Sequence, residues 1–124
     1  MSQLLQSDEE YLLNKQYEYT IQSDGFHNHL IVKNYRLPNH YDKQNVDLLI
    51  KIPVSGYPFN GLDMFWVSPH VRYTDGRTPQ NADVYENILG VSWQRFSRHY
   101  QWQPGIDSLA THMSIVHNEF SKKI

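Results

Sequence analysis

The chain has 124 residues, a formal net charge of −2 and no cysteine. A length in this range fits one domain, residues 1–124, and the missing cysteine excludes disulfides, thiolate metal sites and thiol nucleophiles. Charge is spread evenly, with seven acids and five bases up to residue 61 and six of each after it, so there is no basic footprint for nucleic acid.

Residues 7–15 (SDEEYLLNK) read as a helix start, with Ser7 as the cap and Glu10 reaching back to close a capping box. Tyr17, Tyr19 and Ile21 then alternate with polar residues, SDG at 23–25 is a turn, and residues 26–32 (FHNHLIV) resume as a strand that Pro38 closes, which makes a hairpin. Residues 46–54 (VDLLIKIPV) predict a buried strand. Lys51 interrupts this apolar run, and it is far too short to cross a bilayer, so no membrane is expected. A turn over 55–61 (SGYPFNG) leads to a fourth short strand over 62–69 (LDMFWVSP), ended by Pro69. From 72 to 89 no period survives the Asp75-Gly76, Pro79 and Asn81 punctuation, and the segment reads as one long irregular loop, a kind often tied to function. Ile106, Leu109, Ala110, Met113, Val116 and Phe120 fall on one face at helical spacing. The sum is an α+β fold: an N-terminal helix, a four-stranded antiparallel meander, a long irregular segment and a C-terminal helix. A disulfide-free chain without a leader pattern is expected in the cytoplasm.

Three motifs in this order, YPFNGLDMFW at 57–66, SWQRFSRH at 92–99 and WQPGIDSLATH at 102–112, resemble the ubiquitin-conjugating (UBC) superfamily, and within it the prokaryotic conjugating-enzyme-like family E. Tyr57-Pro58-Phe59 matches the aromatic-Pro-aromatic turn between the third and fourth strands of that fold. The resemblance implies a UBC-like architecture and, as partners, a ubiquitin-like protein and an activating-enzyme relative of a bacterial operon. It does not carry over the chemistry. Residues 68–71 read SPHV where conjugating enzymes have His-Pro-Asn, and the cysteine that bears the thioester is missing. The expected role is therefore a component that binds such partners without a thioester and without a cofactor.

Two alternatives stay open. In the first, an oxyester-forming transferase, Ser92 lies where the resemblance puts the nucleophile, Ser97 is a second hydroxyl, and His99 is the base that would draw off the proton; equally, Ser92 is a loop residue and Trp93 packs on the sheet. In the second, His27 and His29 share a strand face at a spacing metal sites use, as a metal or small-molecule site, although no third ligand stands at a diagnostic spacing and no metal is assigned. For partner binding the candidates are Trp93, Arg95, Ser97, Arg98, His99 and Trp102, since arginine and aromatic side chains dominate interfaces and Arg95 and Arg98 can grip a tail carboxylate. The plain reading has Arg98 and His99 bonded to Asp107 or to loop carbonyls. Four further expectations are structural: Tyr57 and Pro58 as the tight turn, Asp63 as a strand carboxylate paired with an arginine, Asp107 as the cap of the last helix, and His112 as a satisfied core histidine.

Overall fold

The computed structural model describes residues 4–124. The elements are helix α1 (Gln6–Asn14), strands β1 (Tyr19–Ser23), β2 (His27–Arg36), β3 (Asn45–Pro53), β4 (Phe65–Ser68), β5 (Val84–Ile88) and β6 (Val91–Phe96), and helix α2 (Leu109–Ser121). All pairings are antiparallel, in the order β1-β2-β3-β4-β6-β5. The fold is α+β with a helix at each end, and its first four strands form the expected meander.

The sheet has six strands, not four. The part of 72–89 read as loop contains β5, which pairs with β6 to make a hairpin at the sheet edge. Ile88 and Val91 are direct partners, so Leu89 and Gly90 form a two-residue loop with φ of 54° and 80°. Loops of that kind are usually marked by Asn-Gly or Asp-Gly. A leucine rarely takes positive φ, and its presence hid the turn.

Residues 69–83 are irregular but tied down. Tyr41 bridges Tyr73, Asp42 N–H donates to the Arg72 carbonyl, and the Asp42 carboxylate accepts from Arg72 N–H at 3.0 Å. Chain from the far end of α2 adds to this. The Tyr73 hydroxyl donates to the Ile124 carbonyl at 2.9 Å and accepts from Ile124 N–H at the same distance, while Gln80 N–H also donates to the Ile124 carbonyl. These bonds supply the partners that a non-repetitive backbone requires.

Alternation sends Leu30, Val32, Leu48, Ile50, Ile52, Phe65, Val67 and Phe96 to the helix-covered face, as period-two strands must. Against them α2 sets Leu109, Met113, Val116 and Phe120, and α1 sets Leu12. Phe65 and Phe96 stack at 5.1 Å, and Phe120 meets both nearly edge-on at 5.0 and 5.3 Å, geometries that add to plain burial. The other face carries a smaller row in which Ile31, Leu49 and Trp66 are successive cross-strand partners, extended by Trp93 and Ile88 of the hairpin.

Two helix boundaries differ from expectation. The N-cap of α1 is Leu5, which makes no side-chain cap bond; Ser7 lies inside the helix, and Glu10 accepts from Gln6 Nε2 at 3.2 Å instead of reaching back. At the other end α2 begins at Leu109, leaving Ile106 outside the helix and 73 % exposed.

Candidate functional site

β4 ends in a cis Ser68–Pro69 bond, and the chain then turns to lay His70 beside the first residues of β6. His70 Nε2 stands 3.0 Å from Ser92 Oγ, and its ring lies over Tyr85 with centroids 4.6 Å apart. Ser92 is exposed. The expected Ser92–His99 pair is therefore corrected: the histidine at Ser92 is His70. His99 is engaged elsewhere, with Nδ1 at 2.9 and 3.1 Å from the two carboxylate oxygens of Asp63. Sequence proximity of Ser92 and His99 misled because β6 is extended between them and carries the two apart.

Asp63 is likewise corrected. It lies before β4, is exposed, and pairs with His99 and not with an arginine. Both arginines of the segment are taken. Arg95 Nη1 donates to Glu86 Oε1 at 2.8 Å across the β5–β6 pair, and its Nε donates to Ser97 Oγ at 3.1 Å. Arg98 forms an ion pair with Glu119 of α2 at 3.1 Å, donates to the Gln80 carbonyl, and lies over the Phe96 ring. That joins the irregular segment to the last helix, through a loop carbonyl and Glu119, without Asp107.

The tryptophans divide. Trp93 is only 3 % exposed and donates its Nε1–H to the Ile88 carbonyl, so it forms part of the hairpin's packing. Trp102 is half-buried: its Nε1–H donates to the Pro58 carbonyl at 2.9 Å, and a Cβ at Gly61 would run into its side chain. Gly61 is what lets Trp102 close on the Tyr57–Pro58 turn, whose peptide bond is cis. The turn is held from the other side by Tyr57, whose hydroxyl donates to buried Asp8 at 2.7 Å. Burial raises the Asp8 carboxyl above the usual range, against the lowering effect of that bond.

Asp107 does not cap α2. Its carboxylate accepts from Gln103 N–H at 2.7 Å, while Ser108 and Thr111 form a reciprocal capping box; the capping residue comes one position later than expected. His112 is 1 % exposed, with Nε2 3.0 Å from the Met64 carbonyl and Nδ1 2.8 Å from the Tyr100 hydroxyl. A carbonyl can only accept, so Nε2 carries the proton and Nδ1 accepts from Tyr100. Burial pushes the His112 pKa down to about 4, against the raising effects of the Met64 bond and the Asp63 charge.

Gln94 escaped sequence reasoning. It is fully buried, accepts from Val71 N–H at 2.7 Å and donates to the Val71 and Ala82 carbonyls at 3.1 and 2.8 Å. One amide thus staples both ends of the irregular segment to β6. A polar residue at a core-facing position of a strand was the available sign.

On the open face a recess of about 280 Å³ is walled by Lys51, Glu86, Arg95 and Asp63 and floored by Met64 and Trp66. Lys51 lies over the Trp66 ring at 4.6 Å. His27 lines the same recess, with its ring 6.1 Å from that of His29. His29 is buried, its Nδ1 3.3 Å from the Gln22 carbonyl, and burial lowers its pKa. Among the described residues no group of three or more histidine and carboxylate side chains is placed to hold a metal, and no helix is long and apolar enough to cross a membrane.

Neither the curated proteins nor the solved structures give a match to this chain. The model of the prokaryotic E2 family E matches residues 4–123, and with a cysteine-free conjugating-enzyme-like sheet flanked by its two helices, the chain belongs to that family.

Proposed function

We propose that this protein is a cytoplasmic binding component of a prokaryotic ubiquitin-like pathway, holding a ubiquitin-like protein, an activating-enzyme relative, or both, without forming a thioester. The reading rests above all on family membership that spans nearly the whole chain of a sequence with no cysteine. A hydroxyl near neutral pH is a far weaker nucleophile than a thiol, so holding is favoured over transfer. The candidate surface moves relative to the sequence reading. With Trp93, Arg95 and Arg98 committed internally, the exposed groups are His99 and, on the adjoining turns, Phe26, Val54 and Phe59, which are 79, 49 and 74 % exposed. Val54 N–H donates to the Phe26 carbonyl, so these turns abut, and Trp102 braces the turn that carries Phe59. Exposed aromatic side chains on a braced turn suit a protein partner.

Calorimetric titration with a ubiquitin-like protein and an activating-enzyme relative of a prokaryotic pathway tests this. Saturable binding is expected to at least one of them, weakened roughly tenfold or more by Phe59→Ser. Failure of both proteins to bind in the high-micromolar range would overturn it. A second reading, an oxyester-forming transferase with Ser92 as acceptor, is favoured by the histidine in contact with that hydroxyl. An adduct with the ubiquitin-like protein that resists thiols, is cleaved by hydroxylamine and is lost in Ser92→Ala would support it.

A further inference from the structure

We infer that His70 and Ser92 form a nucleophile–base pair able to take an acyl group from an activated donor, a thioester or an acyl phosphate, with His70 and not His99 as the base. The inference rests on the oxyester reading and supplies its chemistry. Three observations carry it. The separation of His70 Nε2 and Ser92 Oγ is 3.0 Å, within the range needed for proton transfer. Both side chains are exposed, so an incoming carbonyl can reach the hydroxyl. The imidazole is held by ring contact with Tyr85, whose centroid is 4.6 Å away, on the neighbouring strand of the hairpin that presents Ser92. Beside the pair, Tyr85 is 49 % exposed, a ring against which the donor's chain can rest.

The step balances without a further reagent. With the ring proton on Nδ1, His70 Nε2 accepts the Ser92 proton as Oγ bonds to the acyl carbon. The carbon–sulfur or carbon–oxygen bond to the leaving group then breaks, and the leaving group takes the proton from His70. The products are the serine ester and the protonated leaving group. A hydroxyl activated by one solvent-facing imidazole is matched to a donor whose leaving group departs with little help, which is why activated donors are the class. By contrast, Asp63 occupies His99 on another part of the surface, and His112 is enclosed between Met64 and Tyr100.

The test uses the intact protein and an alkyl fluorophosphonate, which reports a base-activated serine without any ubiquitin-like partner. Intact-mass and peptide mapping should place one label on Ser92, and Ser92→Ala should remove it. His70→Ala should slow labelling by about a hundredfold, while a change at the exposed α2 histidine, His117→Ala, leaves it unchanged. His70→Gln, which keeps a hydrogen-bonding side chain but no base, should behave as His70→Ala, with circular dichroism confirming that each variant is folded. A label elsewhere, no label, or equal rates in wild type and both His70 variants would overturn the pairing. Labelling of Ser92 without an adduct to the ubiquitin-like protein would keep the pair and sink only the oxyester reading.

Discussion

On the face toward α2, Phe65, Phe96 and Phe120 close on one another within 5.3 Å, and the polar side chains among them, Gln94 and His112, have hydrogen-bond partners for the groups they bury. On the opposite face, Trp66 and Trp93 are buried with Lys51, Glu86 and Arg95 nearby, and Trp66 Nε1 is buried without a partner among the described residues. The helix-covered face is a packed interior whose polar groups act as struts. The open face is a thin apolar row under charged side chains, in which, among the described residues, an indole N–H is left unpaired and recesses remain. Stability should therefore reside mainly in the first face, and changes on the second should be mild.

The sharpest test of that contrast is Phe120→Ala, which removes the ring wedged between Phe65 and Phe96 and should cost ~3–5 kcal/mol, read as a fall in the denaturant midpoint. Next is acid. His112 has a pKa pushed down from 6.5 to about 4, so below 6.5 the unfolded chain takes up a proton that the folded one refuses. Its stabilising contribution is whole above pH 6.5 and drains away as pH falls toward 4, by about 3 kcal/mol in total. Buried Asp8, with a raised pKa, opposes this at the acid end because its protonated form is favoured in the folded state. The measurement is thus the difference in pH dependence between wild type and His112→Gln, which should flatten the His112 component. Gln94→Leu strips partners from Val71 N–H and from the Val71 and Ala82 carbonyls, and should cost ~2–3 kcal/mol together with early hydrogen exchange in 69–83. Smallest is a change at the hairpin edge: Leu89→Asn eases a positive φ of 54° and should raise stability by ~0.5 kcal/mol. A loss there would mean that the leucine side chain packs against Trp93 and Ile31 more than its exposure implies.

The same contrast explains what could be read from residues alone. The first four strands and the last helix were legible because their apolar residues recur at two and at 3.6, the periods that a one-sided burial imposes. The β5–β6 hairpin was not, since its loop is Leu89-Gly90 and its strands present both faces to mixed surroundings. At the site, Ser92 and His99 were visible as residue types, but pairing is a property of three-dimensional neighbours. The histidine that reaches Ser92 comes from 22 positions upstream, past a turn, and no spacing rule connects them. Asp63 and Asp107 failed for a related reason. A carboxylate takes whichever donor the backbone brings near, here His99 and the Gln103 amide, and local pattern predicts the need for a partner without naming it.

The bonds between Tyr73, Gln80 and Ile124 tie two distant stretches of chain together, so the two should open as a unit. Proteases nicking near Gly76 and near Lys123 would then be sampling one fluctuation, and their rates should respond in parallel to any ligand that tightens either stretch.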